Sequence, residues 1–162
     1  MADTIVLVIF YSRAGETERL AHAAAVGSVQ ARALIRLRRV PDIDPAGVLE
    51  RFPEAQESLR RMHREYVPPR EADVLGADAI VLASSTGVDA ASPEWSPVVQ
   101  MLERLAADGK LGGKAAAVVP NGASSHSFDA LITRLGLDVR APDAEQDDDV
   151  GRAVALGRAV AV

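Results

Sequence analysis

Ser12, Gly15 and Thr17 lie close together after an apolar run and before a helical repeat, a setting that suits an anion. The two hydroxyls can donate hydrogen bonds, and Gly15 permits close backbone approach. The amides from Arg13 to Thr17 can turn into one concavity at the positive end of a helix dipole. Charge-assisted hydrogen bonds of about 1.5 to 3 kcal/mol each make such a loop sufficient for a phosphate monoester without a lysine. An ordinary capped turn between strand and helix is the other reading of the same residues. His22 and His63 fall on helical repeats with no second histidine at ligand spacing, so no metal is expected. Ser125 and His126 are neighbours in the chain and seldom-facing as such. With no G-x-S-x-G they do not form a nucleophile and its base.

The elements that must hold these residues follow from the hydrophobic pattern. Thr4 to Tyr11 is continuously apolar and rich in β-branched residues, as in a parallel strand covered on both faces. Leu20, Ala21, Ala24 and Ser28 then recur at helical spacing. Ala33 to Arg38 mixes arginines into an apolar stretch and predicts an edge strand. Asp44 and Pro45 open a helix that Phe52-Pro53 divides, with Glu54 to Glu65 as its second part and Glu71 to Leu75 as a further short helix. Ala79 to Ala83 and Ala115 to Val119 are two more buried strands, each followed by a polar loop and a helix. Leu137 to Val139 is a short outer strand, and Glu145 to Val162 a closing helix whose acidic start suits the helix dipole.

Five strands alternating with helices imply a right-handed, doubly wound α/β sheet over a single domain, residues 1–162. Ligands of such sheets sit at the carboxyl ends of the strands, which singles out the loops 12–17, 84–97 and 120–127. The 162 residues carry a net charge of −5 and are 48% hydrophobic and 25% charged, enough apolar surface for a packed core. This acidic balance argues against a nucleic-acid partner. No apolar run reaches membrane-spanning length and no basic stretch precedes the first one, so the expectation is a cytoplasmic protein without membrane insertion. The absence of cysteine excludes disulfides, thiolate catalysis and Cys-based metal centres. No G-x-G-x-x-G follows the first strand. Gly113-Lys114 is followed by Ala115 and lies before its strand, so neither a dinucleotide fingerprint nor an ATPase loop is present.

Ser12-Arg13-Ala14-Gly15-Glu16-Thr17-Glu18 resembles the phosphate loop of the flavodoxin family, commonly S/T-x-T-G-x-T-E, and the order of elements along nearly the whole chain is similar to that family. The resemblance implies a flavodoxin-like three-layer α/β/α sandwich with a five-stranded parallel sheet in the order 2-1-3-4-5 and noncovalent FMN. By position, Ser12, Arg13, Ala14, Gly15, Glu16 and Thr17 would surround the phosphate. Ser85-Thr86-Gly87-Val88-Asp89 resembles the flavin-contacting loop, with Gly87 where flavodoxins often carry a stacking aromatic and Trp95 as a candidate cover for the ring. Asn121, Gly122 and Ser125 correspond to the segment along the isoalloxazine edge. His126 is the catalytic candidate, a donor to a flavin or quinone oxygen. The segment Arg152 to Ala161, with Phe10-Tyr11-Ser12 and Gly15, is similar to NAD(P)H:quinone oxidoreductases of the tryptophan-repressor-binding-protein type. That similarity implies two-electron reduction of quinones by NAD(P)H through FMN, in a homodimer or homotetramer. A one-electron carrier and a cofactor-free binding protein are the alternatives.

Overall fold

The alternation of side chains along the first strand, β1 (Ile5–Tyr11), decides the layers. Val6, Val8 and Phe10 pack with α1 (Glu16–Gln30) and α7 (Asp149–Val160) on one face of the sheet. Leu7, Ile9 and Tyr11 pack on the other face with α4 (Glu71–Leu75), α5 (Ser96–Ala107) and α6 (Ser125–Arg134). The remaining strands are β2 (Leu34–Arg39), β3 (Ala79–Ser84), β4 (Ala115–Val118) and β5 (Asp138–Val139). The computed structural model describes residues 2–142 and 145–162. All strand pairs are parallel, in the order β2-β1-β3-β4-β5, as expected from the resemblance. Tyr11 is in register with Ser84, so the loops after β1 and β3 leave the sheet side by side.

The edge strand explains its arginines. Arg38 grips the buried Asp73 of α4 through two hydrogen bonds of 3.0 Å, and Asp73 also accepts from the Arg70 amide at 2.9 Å. Between β2 and β3 the chain makes α2 (Pro45–Arg51), a tight 3₁₀ turn (Pro53–Ala55) and α3 (Gln56–Glu65). Asp44 caps α2 by accepting from the Gly47 amide at 3.1 Å, and the break at Phe52-Pro53 follows from the missing proline N–H. Val48, Ala55, Leu59 and Met62 form a small core of their own. Tyr66 joins it to the main body with its ring edge-on to Phe10, 5.0 Å between centroids.

Two elements are shorter than the sequence pattern suggests. α7 begins at Asp149 rather than at Glu145, because Asp148 is the cap, accepting from the Gly151 amide at 2.5 Å. The acidic run therefore spends its charge on the helix start, with Asp149 paired to Arg152 at 2.5 Å. The outer strand β5 is reduced to two paired residues. Among the described residues, no helix is long and apolar enough to cross a membrane.

Candidate functional site

Three loops meet above the carboxyl ends of β1, β3 and β4. Gly15 opens α1 in a left-handed conformation, φ 99°, which a side chain would strain. The first backward helical bond runs from the Arg19 amide to the Gly15 carbonyl, 3.1 Å, so the N–H groups of Glu16, Thr17 and Glu18 have no helical acceptor. Ser12, fully buried, accepts from the Gly15 amide through its Oγ at 3.1 Å. Ser85 reaches across from the β3 loop, donating to the Tyr11 carbonyl and accepting from the Arg13 amide, both at 3.2 Å, with Thr17 Oγ1 3.4 Å away. Asn121 ties in the third loop. Its Nδ2 donates to the Ser84 carbonyl at 2.6 Å and reaches Thr17 Oγ1 at 3.5 Å, and its Oδ1 accepts from Thr86 at 3.2 Å.

The cradle is thus narrower in donors than the sequence suggested, since the amides of Arg13 and Gly15 are already bonded within the protein. What remains is the amides at the helix start, Glu16 and Thr17 foremost, with the Thr17 hydroxyl, while Ser12 and Ser85, whose proton goes to the Tyr11 carbonyl, hold the loop in shape. That chemistry fits a phosphate monoester. Glu16, whose carboxylate would repel an anion, is exposed to solvent. Gly87, φ 82°, has open space where a side chain would stand.

Several candidates face elsewhere. Trp95 does not cover the mouth of the site: it is fully buried, donates from its indole to Ser84 Oγ at 2.9 Å and packs on Phe128 at 4.7 Å. Its burial beneath the loop wins because the indole finds both an apolar wall and a hydroxyl there. Val88 is likewise a core residue. Asp89 turns its carboxylate to the Ala91 amide at 2.9 Å, and Ser125 gives its hydroxyl to the Gly122 carbonyl at 2.9 Å. The Arg13 guanidinium lies between the rings of Tyr11 and Phe52, at 5.9 and 5.8 Å, rather than over the loop. His126 is exposed and lines a cleft of about 360 Å³ with Asp129, Arg140 and Arg152, between α6, β5 and α7.

The supports under the first loop were not visible in the sequence. Arg39, at the top of β2 and in register with Phe10, donates to the Ser12 carbonyl at 2.8 Å and to Asp42 at 3.0 Å. Asp42 also accepts from the Tyr11 hydroxyl at 2.7 Å. Burial alone would raise the Asp42 carboxyl, but the Tyr11 hydrogen bond and the charge of Arg39 outweigh it and hold it below the usual range. Burial together with Asp42 pushes the Tyr11 phenol up to about 12. On α1, Glu18 accepts from both Arg61 nitrogens, at 2.9 and 2.5 Å, and from Tyr66 at 2.6 Å; these hydrogen bonds, Arg61 first, lower its carboxyl against the opposing effect of burial.

These carboxylates set an acid limit on the fold. Asp73 is lowered too, the Arg38 and Arg70 bonds overcoming burial. A carboxyl lowered in the folded state contributes stability that is complete above its unfolded value, about 4, and is lost as the pH falls through the folded value. Urea midpoints are therefore expected to be flat from pH 7 to 5 and to drop steeply below about pH 4. A variant with Glu18→Gln should start less stable and show a shallower drop. An unchanged slope would count against the Glu18 contribution.

No family model matches the chain. It is 31% identical over 121 residues to a protein of Archaeoglobus fulgidus named NAD(P)H dehydrogenase (quinone), an overlap of 75% of this chain and 63% of that one. It is 32% identical over 123 residues to NAD(P)H dehydrogenase (quinone) 3 of Rhizobium meliloti, 76% of this chain and 55% of that one. The chain thus spans less than two thirds of the length of these two relatives. Among solved structures, a short-chain flavodoxin associated with a non-canonical PDU bacterial microcompartment superposes with a TM-score of 0.65 at 14% identity, covering 97% of this chain and 96% of that one.

Proposed function

We propose that this chain, which has the flavodoxin-like fold, binds FMN through the loop after β1 and works as an NAD(P)H:quinone oxidoreductase. The observation that carries the reading is the meeting of unbonded helix-start amides with the Thr17 hydroxyl, in a loop shaped by Ser12 and Ser85, at the switch point between β1 and β3. The names of the relatives supply the substrate classes. Bound FMN supplies the two-electron redox chemistry that links a reduced nicotinamide to a quinone. The protein supplies the grip and the access. Thr17 and the amides of Glu16 and Thr17 hold the phosphate, with Ser12 and Ser85 fixing the loop around it. Thr86 and Asn121, bonded to each other, would lie beside the flavin, and the open space at Gly87 would leave room there for a second flat molecule. His126 receives no proton step in this scheme, since it faces the cleft beside α7. The reading places the protein in the cytoplasm, where pyridine nucleotides are available.

The test is oxidation of NADH and NADPH by FMN-loaded protein with and without benzoquinone. Expected is nucleotide oxidation that requires the quinone for multiple turnovers. Failure to oxidise either nucleotide would overturn the enzyme reading and leave the fold untouched.

A further inference from the structure

A line of polar contacts runs from the solvent-facing side of α3 to the floor of the anion loop. His63 Nε2 meets Asp42 Oδ2 at 3.1 Å, and Arg39 Nη2 meets the same oxygen at 3.0 Å. The same Arg39 nitrogen donates to the Ser12 carbonyl at 2.8 Å, and the Tyr11 hydroxyl occupies the other Asp42 oxygen at 2.7 Å. The Asp42 side chain is wholly buried and Arg39 nearly so, whereas 42% of the His63 side chain is exposed. An ionised carboxylate only accepts, so His63 must present its Nε2 proton to Asp42. Arg39 Nε is buried without a partner among the described residues, so the hydrogen bonds of its guanidinium go to Asp42 and the Ser12 carbonyl, and its flat face lies over the Tyr11 ring at 5.8 Å. Ser12 in turn fixes Gly15 by accepting its amide.

We propose that His63 is a positioning residue for the phosphate end of the flavin, acting through Asp42 and Arg39 on the Ser12 carbonyl. Its N–H keeps the Asp42 oxygen turned toward Arg39, and Arg39 keeps the loop in the shape that aims the Thr17 hydroxyl and the helix-start amides at the phosphate. The segment between β2 and β3 is thereby coupled to the cradle. Other groups brace the same region independently: Arg61 of α3 holds Glu18, and Phe52 stacks on Arg13. Loss of His63 alone therefore loosens the loop without releasing α3.

The inference rests on the FMN reading, and its test separates the two. Binding of FMN and of riboflavin, which lacks the phosphate, is measured by flavin fluorescence for the wild type, His63→Ala and His63→Gln. Loss of a hydrogen bond of ordinary net strength, as at this half-exposed side chain, corresponds to about a five- to tenfold loss of FMN affinity in His63→Ala, with riboflavin affinity unchanged. His63→Gln, which restores an N–H donor, should return FMN affinity to within about twofold of wild type. In the flavin-free protein, amide exchange at Gly15 should accelerate in His63→Ala and recover in His63→Gln. Equal losses for both flavins, no rescue by glutamine, or unaltered Gly15 exchange would each overturn the proposal. A wild type that binds neither flavin would refute the cofactor reading, and Gly15 exchange would still decide the role of His63.

Discussion

Gly157→Ala is expected to cost the folded state about 3 kcal/mol or more, although alanine is ordinarily the better helix former by about 1 kcal/mol. The reason is the contact between α1 and α7. A Cβ at position 157 would lie 1.8 Å from the Ala24 carbonyl oxygen and 2.7 Å from its carbon. Gly27 stands in the reciprocal position, where a Cβ would lie 1.9 Å from the Val154 carbonyl oxygen. The obstacles are backbone atoms, so no side-chain rotation relieves the clash. Ser28 fastens the crossing further by its hydroxyl, placed 3.1 Å from the Ala24 carbonyl and 3.0 Å from that of Gly157. The helices must separate, which opens the layer formed by Ala21, Ala24, Ala153 and Leu156 over the sheet. Urea denaturation measures the effect. Gly112→Ala, whose added methyl carbon meets nothing nearer than 4.0 Å, is the control and should shift stability by no more than about 0.5 kcal/mol. A Gly157→Ala protein as stable as wild type would refute the close crossing.

Trp95→Ala is expected to destabilise by about 3 to 5 kcal/mol, the range for emptying a large aromatic site in a packed core. The indole is fully buried and T-packed on Phe128, and its N–H is satisfied by Ser84 Oγ. Ser84 also donates to the Val88 carbonyl at 2.6 Å, and the Ser84 carbonyl receives Asn121. Trp95 therefore carries the loop after β3 from below, and its removal unseats two of the three loops of the site. Trp95→Phe keeps most of the apolar volume and loses only the N–H, so a cost of about 1 to 2 kcal/mol is expected. Because Trp95 is the sole tryptophan, unfolding of these variants is followed by far-UV circular dichroism rather than by emission. A Trp95→Ala cost below about 1 kcal/mol would mean that the side chain is not packed as described.

The parts of the structure set by local pattern were legible in the sequence. Unbroken apolar runs placed β1 and β3 inside and the arginines of β2 placed it at an edge, in agreement with the strand order that the resemblance implied. The meeting of Ser12, Gly15 and Thr17 at one strand-to-helix turn was legible because their spacing falls between an apolar run and a helical repeat. Trp95 is not a cover: it caps the start of α5, and its spacing with Val98, Leu102 and Leu105 aligns it with the buried side of that helix. The same test separates His126 from the buried stripe Phe128, Leu131 and Ile132. Arg39, Asp42 and His63 gave no such signal. They come from a strand end, a loop and a helix, and only the packing of α3 against the start of the fold brings them together. The extent of the acidic cap was likewise hidden, since Asp147, Asp148 and Asp149 are equivalent in sequence and it is Asp148, with an extended backbone, that caps the helix.

In the proposed function, the start of α1, with Thr17, binds the phosphate of FMN. Its most direct test is a fluorescence-quenching titration of the wild type and Thr17→Ala with FMN, with riboflavin as the ligand lacking the phosphate. The predicted result is FMN binding at least tenfold tighter than riboflavin in the wild type, with Thr17→Ala losing most of that preference. Equal affinity for the two flavins, or a preference that Thr17→Ala leaves intact, would contradict it.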